Sequence, residues 1–201
     1  MNSDFNFSLD NLSDCMVAIP GKDFSLCKFQ VTQALWSSVM GNTPSFFKGD
    51  NLPVESISRK DIDLFLEKLN SLDVVKASDK VYRLPTLEEW RYACAAGSDG
   101  VYGLCDGGKA VTKETLADVA WFDDNSGNCT HSVAEKAANA FGLYDMHGNV
   151  LEWTSTLNAN VYYTAVCGGC WAVAAYSCET EHTFWFTYGA RYNYLGLRLA
   201  C

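Results

Sequence analysis

The chain has 201 residues, of which 48% are hydrophobic and 19% charged, and its formal net charge is −9. Length and apolar content allow one compact domain with a real core and exclude a disordered chain or a coiled coil. The acidic balance and the lack of a basic stripe exclude nucleic acid and an anionic membrane surface as partners, and no apolar run approaches the ~20 residues of a membrane-spanning helix.

Residues 1–15 read as a flexible N-terminal arm. The opening MNSDFNFSLDNLSD is polar and lacks the basic start and apolar stretch of a signal peptide, while the start at Met1 leaves open an export signal upstream. Met16 to Gly21 is a short strand ending in a turn, and Phe24 to Val31 a second strand with alternating apolar positions. Thr32 caps a helix through Met40 that turns Leu35, Trp36 and Val39 inward and closes at Gly41-Asn42. Phe46-Phe47 anchors the loop that follows. Ser58 caps a second helix striped by Ile62, Phe65, Leu66 and Leu69. Residues 71–80 are a polar connection and Tyr82 to Pro85 is extended. Thr86-Leu87-Glu88-Glu89 is a capping box that opens a third helix through Ala96, stopped by Gly97.

After Ser98 the chain is loop-rich, with short apolar pieces and no helical period. So long an irregular half is expected only where loops are functional or pinned. Trp90, Trp121, Trp153 and Trp171 read as core. Residues 16–201 form one domain.

The nine cysteines, Cys15, Cys27, Cys94, Cys105, Cys129, Cys167, Cys170, Cys178 and Cys201, are odd in number and give no disulfide framework. Cys167 and Cys170 have CxxC spacing but precede an irregular run rather than a helix. A zinc site would need a second pair, for which only Cys178 and His182 lie nearby. Buried or incidental thiols are the preferred reading. The three histidines are scattered, and no Ser or Cys has a base at motif spacing, so nucleophilic catalysis is not expected.

The last 34 residues carry the most information. Between Gly168-Gly169-Cys170-Trp171 and Leu195-Gly196-Leu197-Arg198-Leu199 lies a run without helix or strand period, crowded with rings and free of lysine. Rings without lysine are the composition of an interface centre. The alternative is a C-terminal core segment. The binding reading expects Phe184, Trp185, Tyr188 and Tyr192 to form one exposed patch.

Several segments together resemble the formylglycine-generating-enzyme-like, or sulfatase-modifying-factor, family. They are Val31 to Asn42, Leu52-Pro53-Val54-Glu55, Arg83 to Trp90, Gly142-Leu143-Tyr144-Asp145-Met146-His147-Gly148-Asn149-Val150-Leu151-Glu152-Trp153, Gly168-Gly169 and Leu195-Gly196-Leu197-Arg198. The resemblance runs from about Met16 to Cys201. It implies an α+β, C-type-lectin-like fold with small antiparallel sheets, about three helices and much irregular structure. Enzymes of the family oxidise a sulfatase cysteine with two copper-binding cysteines five residues apart. Here the second falls on Cys178 but the first on Val173, which cannot ligate copper, so no copper and no oxidase activity are expected.

The tail further resembles the variable region of diversity-generating-retroelement proteins of the Treponema variable protein type. In these, adenine-directed mutagenesis of asparagine codons between constant anchors yields varied residues. The matching positions are Cys170, Ala172, Val173, Ala174, Tyr176, Ser177, His182, Phe184, Trp185, Phe186, Tyr188, Tyr192, Asn193 and Tyr194. Trp185 departs from a simple asparagine template and needs an AGG-type codon. The resemblance implies a non-enzymatic, surface-displayed monomer with a macromolecular target, expected to be a protein. The resemblance to the formylglycine-generating-enzyme-like family also implies structural calcium sites: Asp145, Gly148, Val150 and Glu152 at one, and Asp118, Val119, Asn125 and Gly127 at another. The other reading of the first set is that Asp145 caps a turn and Glu152 pairs with an arginine.

Overall fold

Three local signals set the helical half of the computed structural model, which describes residues 7–159 and 161–201. Helix α1, Gln33–Met40, starts where the Thr32 hydroxyl accepts the Leu35 N–H and ends at Gly41, at a left-handed φ of 72°. Helix α2, Arg59–Ser71, opens on a reciprocal capping box between Ser58 and Asp61. The four-residue helix α3, Asp73–Lys76, occupies part of the expected polar connection. Helix α4, Leu87–Ala95, opens on the Thr86–Glu89 box and closes at Ala96, which is itself left-handed before Gly97. A last short helix, α5, spans Leu116–Val119.

The strands are short. β1, Met16–Ala18, and β2, Ser25–Cys27, form a hairpin, and β3, Leu104–Cys105, pairs with β4, Lys109–Ala110. Strand β2 stops early because the chain beyond it turns to the C-terminal tail: Cys27 and Val31 give their N–H groups to the carbonyls of Leu199 and Leu197. Four strands make the central sheet: β5, Leu151–Leu157; β6, Tyr163–Cys167; β7, Phe184–Thr187; and β8, Leu195–Leu197. Their order is β7-β6-β5-β8, antiparallel except for the parallel β5–β8 pair. Gly196 is required in β8 because a Cβ there would lie 2.6 Å from the Val54 carbonyl oxygen.

Side chains alternate across this sheet. One face carries Leu151, Trp153, Val166, Leu195 and Leu197 against Leu35, Trp36, Ile62 and Phe65 of α1 and α2. Trp36 stacks on Phe65 with ring centroids 4.9 Å apart. The other face carries Ala165 and Cys167 against Trp90, Ala93 and Cys94 of α4. A third cluster gathers Tyr102, Leu116 and Phe122 with Ala175 and Cys178.

Two expectations are corrected. Residues 7–15 are not a loose arm: Phe7 and Leu12 are fully buried, Phe7 packs on Phe29, and the Thr32 hydroxyl bonds the Phe7 carbonyl. Two apolar side chains in a polar stretch suffice to dock it; residues 1–6 of the expected arm lie outside the described residues. Trp121 and Trp171 are half-buried rather than core. Trp121 is sandwiched between His131 and the Lys136 ammonium, and Trp171 packs edge-on against Phe47 while its indole N–H bonds the Asn193 carbonyl.

Candidate ligand-binding face

The C-terminal run leaves β6 at Gly168-Gly169 and enters β8 at Leu195. Both glycines have positive φ, and a Cβ at Gly169 would meet the Cys178 sulfur at 2.5 Å. Trp171 N–H then bonds the Asn149 carbonyl. At the far end Leu195 to Ala200 are all buried. Between these ends the chain makes a 3₁₀ turn at Ala175–Cys178, strand β7, and a tight turn in which Ala190 N–H bonds the Thr187 carbonyl.

Six rings of this run form a continuous row. Centroid distances are 5.9 Å from Tyr176 to His182, 4.7 Å to Phe184, 6.4 Å to Phe186, 5.3 Å to Tyr192 and 5.0 Å to Tyr194. Tyr176 at one end is 65% exposed and Tyr192 near the other is 43% exposed. His182, Phe184, Phe186 and Tyr194 are half-buried, with Phe184, Phe186 and Tyr194 packed on the core beneath. Beside Tyr176 lies a groove of about 670 Å³ whose lining includes Val111, Asp123, Asp124, Ala174, Ala175 and Glu179.

The expected single patch of Phe184, Trp185, Tyr188 and Tyr192 is split. Trp185 pairs with Ala165 across the ladder and so lies on the face opposite Phe184 and Phe186. It is 44% exposed there. Cys170 and Ser177, expected at contact positions, are buried, whereas Ala172 is exposed and Val173, Ala174 and Asn193 are half-buried.

Helix α2 braces the turn after β7, a contact that the sequence does not announce. Asp61 takes two hydrogen bonds from the Arg191 guanidinium, at 2.9 and 2.8 Å, and Asp63 accepts the Tyr188 hydroxyl. Burial pushes the Asp61 carboxyl up, but hydrogen bonds from Ser58 and Arg191 outweigh it and hold the pKa below its ordinary value. The Asp63 bond raises that of the Tyr188 phenol. Asp61 is marked in the sequence only by its place in the first turn after Ser58, and Asp63 only by its place on the polar side of an amphipathic helix; neither signal points to this contact.

The first expected calcium set does converge, but on a nitrogen. The carbonyls of Asp145, Gly148 and Val150 and the Glu152 carboxylate all face Nε2 of Gln30. Glu152 is also paired with Arg198. As placed, these residues do not fit a calcium ion. In the second set both ends of the Asn125 carboxamide are committed to main-chain groups of its own turn, Asp118 and Gly127 are exposed, and Val119 is buried. Val173 and Cys178 stand as aligned above, the thiol buried and the valine half-buried. No cluster of three or more His, Cys, Asp or Glu side chains suited to a metal occurs among the described residues. None of their helices is long and apolar enough to cross a membrane.

Short, mostly antiparallel sheets, five helices among the described residues and a long irregular half define an α+β fold of the C-type-lectin-like, formylglycine-generating type. The chain belongs to the sulfatase-modifying factor enzyme 1-like domain family, whose model matches residues 10–201. It is similar to variable protein 1 of Treponema denticola, with 28% identity, a TM-score of 0.80, and coverage of 89% of this chain and 84% of that one. It is 30% identical over 189 residues to the chaperone protein LppX of Paenibacillus barcinonensis, covering 74% of this chain and 67% of that protein. The formylglycine-generating enzyme of Mycobacterium tuberculosis is 38% identical over 80 residues, which span 37% of this chain and 27% of the enzyme.

Proposed function

We propose that this chain is a non-enzymatic ligand-binding protein that presents a diversified C-terminal surface, residues 168–201, to a macromolecular target, with diversity generated by a retroelement. One observation carries the reading: a row of six rings, open at Tyr176 and Tyr192, is strung between two anchors buried in the core. Rigid presentation keeps the ordering entropy of binding small, so side chains can vary without refolding the scaffold. The likeness to the Treponema denticola variable protein supports it. The test is genetic. The 3′ end of the coding sequence is compared with a neighbouring near-copy, and differences should fall only at template adenines. Differences scattered over all bases would leave an interaction domain of fixed specificity.

The second reading, a copper-dependent formylglycine-generating oxidase, is favoured only by family membership and by Cys178. Val173 in the partner position argues against it. Sustained aldehyde formation on a peptide bearing the sulfatase motif, with Cu(I), would reverse the ranking.

A further inference from the structure

Four oxygens converge on the side-chain nitrogen of Gln30. They are the carbonyls of Asp145 (3.3 Å), Gly148 (3.2 Å) and Val150 (2.9 Å) and Oε1 of Glu152 (3.0 Å). A primary amide has two N–H bonds, so four oxygens exceed what it can satisfy at full strength. Carbonyl and carboxylate oxygens around one point are the donor set of a hard cation. The spacing here is that of hydrogen bonds, longer than the roughly 2.3–2.6 Å of calcium–oxygen contacts. The charge such an ion would bring is supplied instead by Arg198, whose Nη2 lies 2.8 Å from Oε1 of Glu152. Turning the amide over would place a fifth oxygen among the four, so its orientation is fixed by the cage. The cost is visible elsewhere: Gln30 Oε1 and Asp145 Oδ1 are buried without hydrogen-bond partners.

We propose that Gln30 is a built-in substitute for a structural cation: its carboxamide, with the Arg198 guanidinium, holds the 145–152 segment closed without calcium. That segment needs a clamp, because Asp145 and Asn149 both adopt left-handed backbone, at φ of 60° and 67°. It is also the floor of the C-terminal run. A Cβ at Gly169 would meet the His147 carbonyl oxygen at 3.0 Å, and Trp171 N–H bonds the Asn149 carbonyl. The first anchor of the aromatic row therefore rests on a clamp that chelation does not open. This inference stands whether or not the binding reading is right.

The test uses the full chain and calcium alone. Wild-type protein should give no binding heat on calorimetric titration with CaCl2, and its thermal midpoint should be the same in CaCl2 and in EDTA. In EDTA, Gln30→Glu should unfold at a lower temperature than Gln30→Ala, because it adds an oxygen to the cage, and excess CaCl2 should recover it. A simple cavity filler would give the reverse order, with the truncated variant the less stable. A wild-type midpoint that rises with calcium or falls with EDTA would overturn the proposal, as would Gln30→Glu as stable as wild type in EDTA. Should neither variant fold, the wild-type titration decides by itself.

Discussion

Arg198 and Glu152, both fully buried, form a forked ion pair, with Nη2 2.8 Å from Oε1 and Nε 3.0 Å from Oε2. The same guanidinium donates to the carbonyls of Cys27, Lys28 and Tyr144, and Oε2 accepts the Trp90 indole N–H at 2.6 Å. One pair thus joins the tail beyond β8, the exit of the first hairpin, the 145–152 segment and helix α4. Every N–H of a guanidinium has a fixed direction, so the four parts are held in register rather than merely attracted.

Removing one partner of such a pair leaves a buried charge without compensation, at a cost of about 3–5 kcal/mol. Arg198→Met should lose that amount in urea unfolding, a large fraction of the stability of a domain this size. Arg198→Lys keeps the charge but not the fork and should fall between. A loss under about 1 kcal/mol for Arg198→Met would mean that the pair is dispensable.

On the aromatic row, exposure separates scaffold from surface. Tyr176→Ala and Trp185→Ala should change stability by no more than ~0.5 kcal/mol, as exposed substitutions do. Phe186, half-buried and in ring contact with Trp153, Phe184 and Tyr192, should cost about 1–3 kcal/mol on truncation to alanine. Equal losses at all three, measured by the same urea titration, would place the exposed rings in the core after all.

These two cases show what was legible in the sequence. Helices α1, α2 and α4 announced themselves because their caps, Thr32, Ser58, and Thr86 with Glu89, act within four residues. The central sheet did not: β8 pairs with β5 some 44 residues earlier (Leu151 with Leu195), and its α4-facing side is lined by Glu152 and Arg198, whose alternation with leucine and tryptophan reads as a strand with one solvent face although both are fully buried. The anchors and the ring-rich run were legible as positions, but which rings share a face was not. That depended on the β7 register, which puts Trp185 opposite Ala165. Gln30 was invisible for a related reason: a lone glutamine in a strand-like stretch has no local mark, and its partners lie 115 to 122 residues away.

His147 gives a pH signature. It is fully buried, its Nδ1 hydrogen directed to the Cys178 carbonyl at 2.8 Å and its Nε2 accepting Gly103 N–H at 3.1 Å. Burial pushes its pKa down to about 4, against the opposing pull of the Cys178 bond. The unfolded chain, near 6.5, therefore takes up the proton first, and the stability His147 contributes is complete above about pH 6.5 and lost as pH falls towards 4. Asp145 runs the other way: burial pushes its carboxyl up to about 6, so its contribution is present below its ordinary value and lost as pH rises through about 6. The two oppose each other between about pH 4 and 6, and a variant is needed to separate them. The stability advantage of wild type over His147→Gln should shrink by about 3 kcal/mol between pH 7 and pH 4. An advantage that stays constant would mean that His147 titrates normally.

Thiol reactivity bears on the competing reading of the site. All nine cysteines are free. Burial pushes the thiols of Cys27, Cys94 and Cys170 up to about 12, those of Cys167 and Cys178 well above the ordinary thiol range, and that of Cys15 above its ordinary value. At pH 8 a thiol of pKa 12 is ionised to about one part in 10⁴, and the thiolate is both the nucleophile and the copper ligand. Iodoacetamide on native protein should therefore label the half-buried Cys105, Cys129 and Cys201 first, and the other six only after unfolding, as read by peptide mass spectrometry. Rapid native labelling of Cys178 would show a loop open enough to deliver that sulfur to a metal, and the oxidase reading would then regain its footing despite Val173.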